Sequence, residues 1–168
     1  MSGVPELTWL ENNKDLYFKE GDRVLDVGSF DVNGSPREFL EKEASEYVGI
    51  DIEMGKGVDI KMNGHDLESK FGLETFDVIM CLNWSMMSLL CWVTLESMRR
   101  ILKPNGFLVI STPFINFPLH DYPDDFYRFT ESAYKKVFFR NYAVLKVEKI
   151  FTKPNEVNPL LAGIGQKI

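Results

Sequence analysis

Two aspartates carry the clearest chemical signal in this chain, and each stands in or at the end of a short apolar run. Asp26 lies within Val24-Leu25-Asp26-Val27, and Gly28 follows at once. Asp51 closes Tyr47-Val48-Gly49-Ile50-Asp51. Runs of this length and composition read as buried strands. A carboxylate inside one is costly unless partners compensate it, so its presence calls for a reason. Gly28 supplies a turn with no side chain in the way. A glycine turn after one strand and an acid after the next form the pattern of a doubly wound nucleotide site. The oxygens of Asp51 only accept hydrogen bonds, which suits the vicinal hydroxyls of a ribose.

Other candidates follow along the chain. His65-Asp66-Leu67 is a turn or cap whose carboxylate or backbone could meet a nucleobase edge. Asn83 and Trp84 end the run Phe76–Leu82, and in open α/β sheets ligands sit beyond the carboxyl ends of strands. The stretch 114–129 gathers Phe114, Phe117, Tyr122, Phe126, Tyr127 and Phe129 with His120, Asp121, Asp124, Asp125 and Arg128. Long loops in compact domains are frequently lids or acceptor sites. Within this one His120 is the candidate general base, because its free pKa lies near neutrality, and Asp121 is placed to orient it. The competing expectation is a packed loop in which Asp124 or Asp125 satisfies His120 and Arg128.

The elements that must position these groups alternate between strand and helix. A leading helix is expected over 6–16, then a strand over 23–28. A short helix follows over 36–43, with Ser35 as N-cap and Pro36 at the first helical position. Strands are expected over 47–52, 58–62 and 76–82, and a helix over 85–102 that Pro104 and Gly106 punctuate. A strand over 107–111 precedes the long irregular segment, and Thr130 caps a helix to 139. The run 143–151 alternates apolar and charged residues, as a strand with one wet face does. Residues 160–168 form the closing strand, which Gly163 and Gly165 are expected to weaken. The second and third strands are so close in sequence that no parallel crossover helix fits between them. They are either neighbours without a helix or not parallel neighbours at all. The last two strands, joined by a short connection, suggest an antiparallel edge.

The bulk numbers exclude several classes. A chain of 168 residues with 45% hydrophobic and 26% charged content suits one soluble globular domain. A net charge of −6 with no basic run beyond Arg99-Arg100 or Lys135-Lys136 disfavours nucleic acid as a partner. No apolar stretch approaches a membrane span. The opening residues show no basic segment followed by an apolar core, so no signal peptide is expected. Cys81 and Cys91 read as buried thiols without metal-site spacing, and neither a metal nor a disulfide is expected. The cytoplasm is the expected location. The apolar start of the 85–102 helix, with Met86, Met87, Leu89, Leu90, Trp92 and Val93, reads as a homodimer patch or a wall of an acceptor site.

Val24-Leu-Asp-Val-Gly28 resembles motif I of the class I S-adenosylmethionine-dependent methyltransferases. Tyr47-Val-Gly-Ile-Asp51, His65-Asp66-Leu67, Phe76-Asp-Val-Ile-Met-Cys-Leu82 and the passage 100–113 resemble later segments of the same family, in the family's order. The stretch 120–130 is similar to one common in the small-molecule branch. The resemblance implies an α/β fold, a Rossmann-like three-layer sandwich whose mostly parallel sheet has an antiparallel C-terminal edge strand. It implies a single domain over 1–168, with 113–129 as lid or acceptor loop. It implies S-adenosyl-L-methionine as cofactor, held by Asp26, Gly28, Ser29, Gly34, Asp51, Ile52, Asp66, Leu67 and Asn83, and a small-molecule methyl acceptor as partner. Three features depart from the pattern: Phe30 to Asn33 replace a glycine-rich loop, the fourth strand runs into Asn83-Trp84 without the usual acid and histidine, and the second crossover is short. They support the alternative of a methyltransferase-like binding or partner subunit without turnover. A dinucleotide-binding dehydrogenase is the third reading, and the antiparallel finish argues against it.

Overall fold

The computed structural model describes residues 4–82, 90–119, 125–151 and 159–168. Asn83, Trp84, the start of the 85–102 helix, His120, Asp121 and Asp124 lie outside these residues. Helix α1 spans Val4–Asn12 and passes through a 3-10 turn, Lys14–Leu16, to strand β1, Arg23–Val27. Then come α2 (Arg37–Leu40), β2 (Glu46–Asp51) and β3 (Ile60–Lys61). A 3-10 turn, Gly64–Asp66, leads into α3 (Leu67–Phe71), followed by β4 (Phe76–Leu82), α4 (Cys91–Ile101) and β5 (Leu102–Pro113). Helix α5 (Glu131–Ala133) widens into a π-helical turn, Tyr134–Phe138, before β6 (Tyr142–Ile150) and β7 (Leu160–Lys167).

Among the described residues seven strands form one sheet in the order β3-β2-β1-β4-β5-β7-β6. All pairings up to β4–β5 are parallel, and β7 runs antiparallel to both β5 and β6. The antiparallel edge is therefore a pair of strands. The outermost is β6, and the last strand of the chain lies inside it. The expected one-wet-face alternation is not followed in β6: Ala143, Val144 and Leu145 are all exposed, as befits an edge strand, and only Tyr142 and Ile150 at its ends are buried. The period-two alternation of side chains splits the core in two. Leu25, Val27, Ile79 and Ile110 pack with Met98, Ile101 and Phe138 on the α3, α4 and α5 side. Val24, Met80 and Val109 pack with Trp9, Leu10 and Leu40 on the α1 and α2 side. This is the three-layer arrangement.

Three local expectations need correction. Strand β3 is shorter than 58–62, yet it is a parallel neighbour of β2, pairing Ile50 with Ile60 and Asp51 with Lys61. No helix is needed because β3 joins only the last two positions of β2, so the connection does not travel back along the strand. Strand β5 begins at Leu102 and runs through Pro104, Asn105 and Gly106. Its register to β4 slips between Phe76 and Val78, and Asn105 has φ 62°, so the helix stop signals act here as a bulge inside a strand. Gly163 and Gly165 do not mark a weak terminus. A Cβ on Gly163 would stand 2.7 Å from the Phe139 ring, and one on Gly165 2.4 Å from it. Both glycines make room for the buried Phe139 ring, which packs on β7.

Candidate functional site

The chain leaves β1 toward β2 and β3 on one side of the sheet and returns to β4 on the other, so the crevice of this fold opens at the carboxyl ends of β1 and β4. Asp26 pairs in register with Gly49 and Met80, and shares its face with Val24. Its carboxylate is 3% exposed and accepts a hydrogen bond from the Tyr47 hydroxyl at 2.8 Å. Burial pushes its pKa up to about 6, although the Tyr47 hydroxyl and the Arg37 charge pull in the other direction. Burial, with the Asp26 charge behind it, pushes the Tyr47 phenol well above its ordinary range. The Arg37 guanidinium lies 4.6 Å from the centre of the Tyr47 ring and bonds Glu41 at 2.7 Å and Asp59. Asp59 in turn accepts the Gly49 amide at 2.6 Å. Asp26 is thus held by a chain of groups reaching from α2 to the β2–β3 loop.

Asp51 stands on the adjacent strand with the same side-chain parity as Tyr47 and Gly49. One carboxylate oxygen accepts the Phe30 amide at 3.2 Å and the other the Glu53 amide at 3.0 Å. Each oxygen keeps a further lone pair for a ligand. Gly28 turns with φ 84°, and its amide and that of Ser29 both bond the Ile50 carbonyl, at 2.9 and 3.0 Å. The turn therefore binds β1 to β2. Gly34, at φ 111°, donates its amide to Asp31 at 2.8 Å, and a Cβ there would meet Leu7 of α1 at 2.7 Å.

The remaining expected residues differ in what they can offer. Ser29 is buried, with its hydroxyl facing Gly49 and no hydrogen-bond partner. Ile52 is half exposed just past Asp51. Asp66 is exposed, whereas the Leu67 side chain is fully in the core, so only its backbone could meet a ligand. The structure therefore brings Asp26, Gly28, Ser29, Gly34 and Asp51 together around the ends of β1 and β2. The third group, Asp66 and Leu67, follows β3. Asn83, His120 and Asp121 lie outside the described residues.

In the 113–129 segment Arg128 pairs with Asp125, 2.7 Å between its Nη2 and Oδ2, and donates to the carbonyls of Phe117 at 3.1 Å and Pro118 at 2.8 Å. The Phe129 amide bonds the Pro113 carbonyl at 3.1 Å. Arg128 thus ties the two ends of the segment together, as the packed-loop expectation has it for this residue. Phe129 is buried, and Trp92 meets Tyr127, Phe129 and Phe138 at ring-centre distances of 6.2, 5.9 and 6.2 Å. Leu90, Trp92 and Val93 are each about half exposed. A cavity of about 420 Å³, lined by His65, Glu68, Trp92, Ser97 and Arg100 among others, opens between α3 and α4, across the sheet from Asp26 and Asp51.

Tyr47, Arg37 and Glu6 were not expected from the sequence. Tyr47 reaches Asp26 only through strand register, which no local motif encodes. Glu6 is 1% exposed and accepts the Ser111 hydroxyl at the carboxyl end of β5. Its signal was available: Glu6, Leu10 and Asn13 recur at helical spacing and all three are buried.

No family model and no curated protein matches this sequence. Solved structures do match its fold. An S-adenosylmethionine-dependent methyltransferase from Archaeoglobus fulgidus superposes with a TM-score of 0.68 at 19% identity, covering 96% of this chain and 92% of that one. The 1,6-didemethyltoxoflavin-N1-methyltransferase of Burkholderia thailandensis, solved with bound 1,6-didemethyltoxoflavin and S-adenosylhomocysteine, gives 0.71 at 17% identity, over 98% of this chain and 77% of that one. The cyclase SpnF gives 0.73 at 12% identity, over 96% and 81%. The fold is that of the class I S-adenosylmethionine-dependent methyltransferases.

Proposed function

We propose that this protein binds S-adenosyl-L-methionine in the crevice beyond β1 and β4 and transfers its methyl group to a small-molecule acceptor. The observation that carries the reading is the placement of Asp26 and Asp51 on adjacent strands, facing the same side of the sheet, with the Gly28 turn beside them. A buried carboxylate suits the ammonium end of such a ligand, and a carboxylate with two spare lone pairs suits its ribose diol. The cofactor would supply an electrophilic methyl carbon.

What remains for the chain is alignment and exclusion of water. Tyr47 and Arg37 hold Asp26 in place. Gly28, Ser29 and Gly34 present backbone, Ile52 offers an apolar surface past Asp51, and Asp66 with the Leu67 backbone would meet the adenine. Asn83 belongs to the same proposal. For an acceptor that must lose a proton, His120 with Asp121 remains the candidate base, with segment 113–129 as the lid of a single domain. Glu6, buried beside Ser111 near the carboxyl end of β5, is a further carboxylate. The half-exposed Leu90, Trp92 and Val93 favour a homodimer contact. The free thiols of Cys81 and Cys91 favour a reducing compartment such as the cytoplasm. Among the described residues no helix is long and apolar enough to cross a membrane.

A binding subunit without turnover is the second reading. Asp51 already accepts two of the protein's own amides, and this fold also occurs in a protein named as a cyclase. Titration calorimetry with S-adenosylmethionine, S-adenosylhomocysteine and NADH separates the possibilities. Binding of the two adenosyl ligands without NADH is the expected result. Binding of none favours the partner subunit, and NADH alone favours a dehydrogenase.

A further inference from the structure

The loop after β1 does not stand free. The Phe30 amide that reaches Asp51 belongs to a stretch fixed at its next residue by three contacts. The Asp31 amide donates to the Lys56 carbonyl at 2.9 Å, the Asp31 carboxylate accepts the Lys56 ammonium at 2.6 Å, and the same carboxylate accepts the Gly34 amide. The Lys56 ammonium holds the Asp31 pKa below its ordinary value. The surfaces fit as well. A Cβ on Gly55 would stand 2.2 Å from the Phe30 ring, and one on Gly57 2.7 Å from the Ser29 carbonyl, so each glycine gives way to the opposite loop. Two loops from different strands form one unit. That unit gives each oxygen of Asp51 one backbone donor, which fixes the plane of the carboxylate and leaves one lone pair per oxygen.

We propose that the Asp31–Lys56 pair is a clasp that positions Asp51 for a vicinal diol, which makes both residues determinants of ribose recognition without touching the ribose. This rests on the adenosyl reading of the crevice. The clasp acts by preorganisation: with the Phe30 amide held, the carboxylate does not have to be ordered when the diol arrives. The Lys56 side chain is 75% exposed and the Asp31 side chain 5% exposed, so Lys56 can be replaced without disturbing the core.

The test is calorimetric titration of the full chain with S-adenosylhomocysteine and with its 2′-deoxy analogue. The wild type is expected to prefer the diol by about tenfold or more, as for a hydrogen bond to a charged group. In Lys56→Ala the affinity for S-adenosylhomocysteine should fall about three- to tenfold while that for the deoxy analogue hardly moves, so the preference shrinks. Lys56→Arg should restore it. If Lys56→Ala keeps the wild-type preference, or loses affinity for both ligands alike, the clasp is overturned while the adenosyl reading stands. If the wild type binds neither ligand, the adenosyl reading itself fails and the clasp goes with it.

Discussion

The two ends of the sheet are built on opposite principles. Around β1 and β2 the chain is joined by polar contacts: Tyr47 to Asp26, Arg37 to Asp59, Lys56 to Asp31, and loop amides to Asp51. Around β5, β7 and β6 it is joined by volume. Tyr134, Phe138, Phe139 and Tyr142 stack in sequence at ring-centre distances of 4.8 to 5.9 Å with Phe129, over a floor made by Gly163 and Gly165. The aromatic end uses its side chains on one another, and the Tyr134 hydroxyl is spent on the Leu161 carbonyl at 2.6 Å. The polar end keeps acceptor capacity at strand tips. Close packing is concentrated at the aromatic end, and unspent acceptor capacity at the polar end.

Substitutions can break that division. The largest effect is expected from Phe139→Ala. Its ring fills a space that two glycines cannot close, so urea unfolding should show a loss of about 3–5 kcal/mol, while the folded fraction still binds S-adenosylhomocysteine normally. Equal damage to ligand affinity would show that the two ends are not independent.

Asp26→Asn tests the polar end through pH. The folded pKa of Asp26 is raised from 3.8 to about 6, so the folded state holds the proton more tightly than the unfolded chain. The favourable protonated state is fully present below about pH 4 and is lost as pH rises to about 6. Relative to the Asn variant, the wild type should therefore lose stability across that window, by at most about 3 kcal/mol. A difference that stays flat from pH 4 to 7 would remove burial as the dominant influence on this carboxylate.

Asp51→Ala has the smallest expected effect on the fold and sharpens the comparison most. Its stability should fall by about 1 kcal/mol, from the two amides left without an acceptor. Its affinity for S-adenosylhomocysteine should fall roughly thirtyfold by calorimetry. A variant that binds as the wild type does would take Asp51 out of the site.

Much of this architecture was legible in the chain. The apolar runs at Val24–Val27, Tyr47–Ile50 and Phe76–Leu82 are strands because their neighbours give them nothing else to be. Gly28 sits at positive φ where a turn was expected, and Thr130 caps a helix through the Ala133 amide at 3.3 Å. Pro104 and Gly106 misled because stop signals look alike in a helix end and in a bulge. The glycines of β7 misled for a different reason: their partner is Phe139, and a one-dimensional pattern does not say which ring will lie on which strand. Asp26 and Asp51 were visible as chemistry, but the groups that hold them were not.

The sequence by itself determined the alternation of strands and helices, the positions of the two acids and the turn between them, since these follow from local periodicity and from the conformational freedom of glycine. Only the tertiary structure decided that Tyr47 meets Asp26, that Glu6 reaches Ser111, that β7 inserts between β5 and β6, and that the two loops interlock through Lys56. Those contacts depend on strand register and side-chain volume between segments far apart in the chain, and neither quantity is written in any local stretch of residues.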